Sequence, residues 1–306
     1  MDHPAKFIPN STRLYQVFFL ALAFISVLPF LALSFYSHPG ADDYVFSSLY
    51  KHLGWLEFQK HFYMKWQGLY TTNAIMVSPL SPVIHNRFDL YWIPCWLGLG
   101  SMIVSVWLLM KYLTRDKLAT LVLTCTVMVL YLYQLPSTSE ALFWLNANWA
   151  YQMSISMGAI VLLLVMRTFQ DEQVSRAYWA AAALMTVLLI GTNFIAAMLA
   201  VFGVGVGALL NLRNKTTRFW WLGLLLLAVI AFGVVMMAPG NAVRLNAANQ
   251  SLEASHVSTV GKLVYGVTHG VGLLVYSIIN WFGNGIVLAF SVMLIPVLAK
   301  VSDNAE

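Results

Sequence analysis

Charge is the first scarcity in this chain. Only 9% of its residues are Asp, Glu, Lys or Arg, against about a quarter in soluble domains. With 60% hydrophobic residues and a mean hydropathy of +0.73, the composition excludes a soluble globular protein. No polar stretch is long enough for a separate globular unit, so residues 1–306 read as a single transmembrane domain. Cysteine is also scarce. Cys95 and Cys125 lie in or beside apolar runs without a loop partner, which makes them small core residues and not a disulfide or ligand pair. A Walker loop, GxGxxG, HExxH and a nucleophile elbow are all missing, which disfavours ATP-driven transport and soluble-nucleotide chemistry. His256 and His269 have no metal-ligand spacing, so no zinc site is expected. The formal charge of +5 does not cluster on one face, so no nucleic-acid partner is expected.

What the chain does have is long apolar runs. Runs of roughly 17–25 residues can cross a bilayer, and they fall near 14–36, 91–110, 118–135, 151–167, 178–192, 194–211, 219–238 and 270–299. The first is too long for a signal h-region and reads as an uncleaved helix. The stretch from Ala177 to Leu212 splits into two spans at Gly191-Thr192-Asn193. With the N-terminus inside, eleven of the seventeen Lys and Arg fall on the cytoplasmic side; the outer six are Lys51, Lys60, Lys65, Arg87, Arg244 and Lys262. The expected fold is therefore an all-α polytopic transmembrane helix bundle of about eight spans, with both ends inside a bacterial cytoplasmic membrane. The outer face receives residues 37–90, 136–150, 191–193 and 239–269, which hold most loop acids, histidines and aromatics.

The 37–90 loop is too long for a plain connector. Its aromatics recur at roughly helical spacing among Lys51, Glu57, Lys60 and Lys65, as in helices lying in the membrane interface. It opens with Asp42-Asp43. Paired carboxylates are costly near a bilayer. Two readings stand: a helix N-cap, or an acid pair in which one carboxylate takes a hydroxyl proton while its neighbour holds a divalent metal (Mg²⁺ or Mn²⁺). Trp66-Gln67-Gly68-Leu69-Tyr70 closes the helical stretch, with Trp66 and Tyr70 suited to a sugar face or to interface anchoring. In the second outer loop, Trp144, Asn148 and Trp149 offer flat apolar faces beside amide donors, and Glu140 is the loop's one acid. Asn193 is a polar break, either lining a cavity or making a plain turn. Ala238-Pro239-Gly240-Asn241-Ala242-Val243-Arg244 ends a span, and the Arg244 fork suits phosphate.

Taken together, Ala41-Asp42-Asp43-Tyr44, the Trp66–Tyr70 run, the Trp144–Tyr151 loop and the Ala238–Arg244 run resemble a family of bacterial polytopic proteins. That family is similar to GT-C glycosyltransferases, which use polyprenyl-phosphate sugars outside the membrane. The resemblance spans about residues 13–245 and implies a GT-C-like, inverting enzyme. In that reading Asp42 or Asp43 is base or metal ligand, Arg244 lies near the lipid phosphate, Asn241 belongs to the same substrate-binding run, and a glycan or lipid accepts the sugar. Two departures stand out: Leu69 sits where the family has Arg, and the chain ends at Glu306, shorter than most GT-C enzymes; either is compatible with a truncated, partner-dependent or inactive member. The competing expectations are a lipid-linked saccharide flippase and a non-catalytic subunit working beside a second membrane protein.

Overall fold

A computed structural model describes residues 10–114, 116–170, 174–251 and 258–292. Lys6, Arg115, Glu253, His256, Lys300 and the last part of the expected 270–299 span lie outside the described residues. Among the described residues all regular structure is helical. The elements are α1 (Asn10–Ser34), α2 (Ala41–Lys65), α3 (Tyr70–Met76), α4 (Trp92–Leu113), α5 (Lys117–Gln134), α6 (Met153–Gln170), α7 (Arg176–Ile190), α8 (Phe194–Asn211), α9 (Arg218–Met236), α10 (Pro239–Ser251), α11 (Thr259–Gly283) and α12 (Gly285–Val292).

Among the described residues, six helical stretches are long and apolar enough to cross a membrane: Leu14–Ser34, Phe88–Leu113, Lys117–Gln134, Leu145–Phe169, Phe194–Asn211 and Arg218–Met236. The chain is a multi-pass membrane protein. Val264–Gly283 and Gly285–Val292 add a broken seventh, bent by 76°. The expected span at 178–192 is α7, whose 15 residues rise roughly 22 Å, short of a hydrocarbon core of about 30 Å. Among the described residues, six of the apolar elements that stand where spans were expected pass the length and hydropathy test unbroken.

Packing runs in sequence order. The α4 helix joins α1 and α5 on one side to α6 on the other, and α7, α8 and α9 form a second group against α6. That second group is close-packed through small residues: Ala182, Ala197, Ala200, Ala208, Ala228 and Ala231 are buried there around Trp221. Small side chains let backbones approach where lipid removes the hydrophobic drive for helix association. Helix starts carry their own caps. Asp116 accepts from Leu118 and Ala119, Ser175 from Tyr178, and Asn193 from Ala196.

The 37–90 segment folds as expected into helix-rich structure. The α2 helix bends at Gly54, whose φ of 73° lies in the left-handed region that favours glycine. The bend turns Phe58 and Phe62 back onto Phe46; Phe62 stacks on Phe46 at 4.6 Å between centroids, Phe58 is tilted against both, and the three form a core with Tyr91 and Trp149. Tyr44, Trp55 and Trp66 stay exposed. Parts of all four segments that charge counting placed on one face meet one another, the fourth through its first residues. Asn146 reaches Asp42, Thr72 binds Thr192, Asn193 binds Ala150, and Gly68 binds Asn241.

Candidate functional site

Two mutual clasps between distant sequence motifs build the site. In the first, the turn after α2 docks on the start of α10. Gly240 lies so close to the backbone nitrogens of Trp66 and Gln67 that a Cβ there would collide, and Gly68 meets the carbonyl of Val235 equally tightly. The Asn241 amide holds the approach: its oxygen accepts from Gly68 N–H at 3.3 Å, and its nitrogen donates to the Val235 and Met236 carbonyls at 2.7 and 3.2 Å. Asn241 is thus the staple of this clasp. Arg244, one turn further along α10, donates to Gln67 Oε1 at 2.8 Å and lies 5.4 Å from the Trp66 ring centroid. Gln67 is buried and is itself held by donating to Asn73 Oδ1 at 3.0 Å.

The second clasp joins the start of α2 to the 138–152 segment. Asp43 is 4% exposed. Its Oδ2 accepts from Gly40 N–H at 2.8 Å and from Tyr91 O–H at 2.6 Å, while the Tyr91 oxygen accepts from Leu145 N–H at 2.9 Å. Burial pushes the Asp43 carboxyl above its ordinary value, against the lowering effect of its bonds to Tyr91, Gly40 and Asn146; the charge of Asp42 adds the smallest upward push. Asp42 is exposed instead, and its Oδ2 accepts from Asn146 Nδ2 at 3.1 Å. The acid pair divides its labour: Asp43 is the cap and anchor, Asp42 the free carboxylate.

Between the clasps opens a cavity of about 560 Å³. Asp42, Trp66, Trp144, Asn193 and Arg244, all singled out from sequence, line it together with His61, Lys65, Gln67, Asn146 and Tyr151. Among the described residues the ion pairs are Glu57–Lys60 and Arg87–Asp89, so neither Arg244 nor Lys65 is matched by a carboxylate. Arg244 is held by the neutral amide of Gln67 and keeps its full charge for an anion. Asn193 completes the wall without offering polar atoms: its oxygen caps α8, and its nitrogen serves Ala150 O and Ser154 Oγ at 3.0 and 2.9 Å.

Other expected site residues lie elsewhere. Tyr70 seals the α3–α7 contact by donating to Val187 O at 2.6 Å, and burial raises its phenol to about 12. Asn148 is buried against Gly98 and donates to Leu142 O at 2.8 Å, and Trp149 is 2% exposed in the α2 core. Glu140 is exposed in a different cavity with His38, which shares only the Trp144 wall with the first. No group of three His, Cys, Asp or Glu able to hold a metal occurs among the described residues. With Asp43 turned inward, Asp42 is the one carboxylate in the cavity lining, so the expected Mg²⁺ or Mn²⁺ site on both acids does not fit the geometry.

Asn146, one of the two amides between the tryptophans, and Lys65, an outer cation that could serve the phosphate beside Arg244, also reach the cavity. His61, Gln67 and Tyr151 belong to it although sequence reasoning gave them no role of their own; His61 carried a signal, since it lies four residues from Lys65 on one face of α2. Comparison with protein-family models, curated proteins and solved structures gave no match to this chain, and the reading of the cavity rests on its geometry.

Proposed function

We propose that the chain is a GT-C-like membrane glycosyltransferase that moves a sugar from a polyprenyl-phosphate donor to a glycan or lipid acceptor, at the outer face of a bacterial cytoplasmic membrane. The observation that carries the proposal is the joint presence in one cavity of a free carboxylate, two unpaired cations and two tryptophans. A lipid phosphate fits Arg244 and Lys65, because a guanidinium fork matches phosphate oxygens. The indoles of Trp66 and Trp144 are flat apolar surfaces of the kind sugars stack on, and Asn146 is an amide beside the acid.

The chemistry follows from that placement. The acceptor hydroxyl oxygen attacks the anomeric carbon, and the new glycosidic C–O bond forms as the bond from that carbon to the phosphate oxygen breaks. Asp42 takes the hydroxyl proton. The electron pair leaves with the lipid phosphate, whose charge Arg244 and Lys65 stabilise. Direct displacement inverts the anomeric configuration.

The test is mass analysis of surface glycans from a deletion strain complemented with wild type, Asp42→Asn or Arg244→Ala. Loss of one sugar mass, restored by wild type and by neither variant, supports transfer at this cavity. Restoration by Asp42→Asn, with normal accumulation of the variant, overturns the base and favours a transport or scaffold role.

A further inference from the structure

Beyond the Trp144 wall lies a second cavity with the opposite balance of charge. It measures about 750 Å³ and is lined by the end of α1, the turn after it and the 138–144 segment. Five aromatic rings face it, from Phe30, Tyr36, Tyr133, Phe143 and Trp144. Glu140 is its one carboxylate, and among the described residues no Lys or Arg lines it. The polar cavity has the reverse, Lys65 and Arg244 against Asp42. Glu140 is exposed and belongs to neither ion pair among the described residues; its backbone N–H donates to Ser137 Oγ at 3.4 Å, but its carboxylate makes no hydrogen bond there. An interfacial aromatic belt accounts for Tyr36 and Trp144. It does not account for a free acid, nor for rings whose polar atoms are already spent or sealed. The Tyr133 hydroxyl donates to Ser26 O at 3.0 Å, its ring packs edge to face on Phe30 at 5.3 Å, and the Trp144 indole nitrogen is buried against Gly40 without a partner. These side chains offer a ligand ring surface and no donors. Ring faces carry the negative side of the aromatic quadrupole and attract cations. The cavity also sits at headgroup depth, since Phe30 belongs to the apolar Leu14–Ser34 stretch and Tyr36 follows its end.

We infer that this cavity binds an ammonium group, with the aromatic rings around the cation and Glu140 as its counter-charge. The hydroxyls of Thr138 and Ser139, which also line it, can accept N–H bonds from a primary ammonium. The same lining suits two sources of that group, the headgroup of a membrane lipid and an amine-bearing sugar at the membrane surface. A phosphate or carboxylate would meet no cation here. The inference does not depend on the transferase reading, because Glu140, Phe143 and Tyr36 are no part of the polar cavity.

The test is native mass spectrometry of the full-length, delipidated protein with two series of ligands. The lipid series is phosphatidylethanolamine, its N-acetylated form and phosphatidylglycerol, all with the same acyl chains. The sugar series is a glucosamine oligosaccharide and its N-acetylated form. In at least one series the amine should bind more tightly than its uncharged or anionic counterpart, by about threefold to tenfold. A preference in the lipid series assigns the ammonium to a headgroup, and one in the sugar series assigns it to a glycan. Glu140→Gln should erase the preference, Phe143→Leu should reduce it, and Glu140→Lys should turn the lipid series toward phosphatidylglycerol. Glu57→Gln, which alters an exposed acid outside this lining, should leave it unchanged. Equal binding of amine and N-acetylated forms in both series would overturn the inference, as would a preference that survives Glu140→Gln.

Discussion

Gln67 bears on anion binding without needing to touch the anion. It is buried, accepts from Arg244 at 2.8 Å, and donates to Asn73 at 3.0 Å. Leucine at this position keeps the approximate volume and removes both bonds. Arg244 then regains its rotamers and must be ordered again when a phosphate binds, which costs about 0.5–1.5 kcal/mol for a side chain of this kind. At 1.4 kcal/mol per tenfold, Gln67→Leu should weaken binding of a polyprenyl phosphate by about twofold to tenfold. Arg244→Ala removes the charge-assisted bonds themselves, about 1.5–3 kcal/mol or roughly tenfold to a hundredfold. Since Gln67 acts through Arg244, the double variant should bind no worse than Arg244→Ala alone. Gln67→Glu is a sharper probe still. It keeps the acceptor but places a carboxylate against the guanidinium, so the phosphate competes with an internal anion. Titration of each variant in nanodiscs by tryptophan quenching or native mass spectrometry reads all four. Unchanged binding in Gln67→Leu, or losses that add in the double variant, would refute the positioning role.

The second clasp makes further predictions. Tyr91→Phe strips the buried Asp43 of one donor and orphans Leu145 N–H, and should cost about 2–5 kcal/mol, read as a fall in melting temperature in detergent; an unchanged melting temperature would show that the clasp is not needed for stability. Burial raises Asp43 above the ordinary 3.8, so the folded state binds this proton more tightly than the unfolded chain, and the stability tied to it falls as pH climbs through the raised value. Asp43→Asn should remove that decline, visible as a wild-type-minus-variant stability difference that changes as pH rises above the ordinary carboxyl value of 3.8; a constant difference would contradict it. At the first clasp, Gly240→Ala drives a Cβ into the Trp66–Gln67 backbone and should cost about 1–3 kcal/mol or more. Gly233→Ala, which faces open space in the preceding helix, should be neutral or slightly stabilising.

The sequence carried the helical class and the position of each apolar element, because hydropathy over 18 residues or more is a strong local signal. It also carried the break at Gly191-Thr192-Asn193, where Asn193 caps the next helix. The choice between Asp42 and Asp43 was not legible. They are neighbours in sequence, and what separates them is Tyr91, 48 residues on. The first clasp was hidden for the same reason: Gly68 and Asn241 lie 173 residues apart, so two motifs read as separate signals were two halves of one joint. In the 138–152 segment the error had a geometric cause. Wide turns, such as Trp144 N–H donating to Ser139 O five residues back, replace the usual 3.6-residue period. That shift turns Asn148 and Trp149 into the core and brings Asn146 and Tyr151 to the cavity.

The most direct test of the cavity as a transfer site is release of polyprenyl phosphate by purified protein in liposomes, supplied with polyprenyl-phosphate sugars and an acceptor glycan. Wild type should release the lipid phosphate and yield an inverted product, while Asp42→Asn should be slower by about 100-fold to 10,000-fold, the usual contribution of a general base. Release by Asp42→Asn at the wild-type rate would contradict the assignment of this cavity.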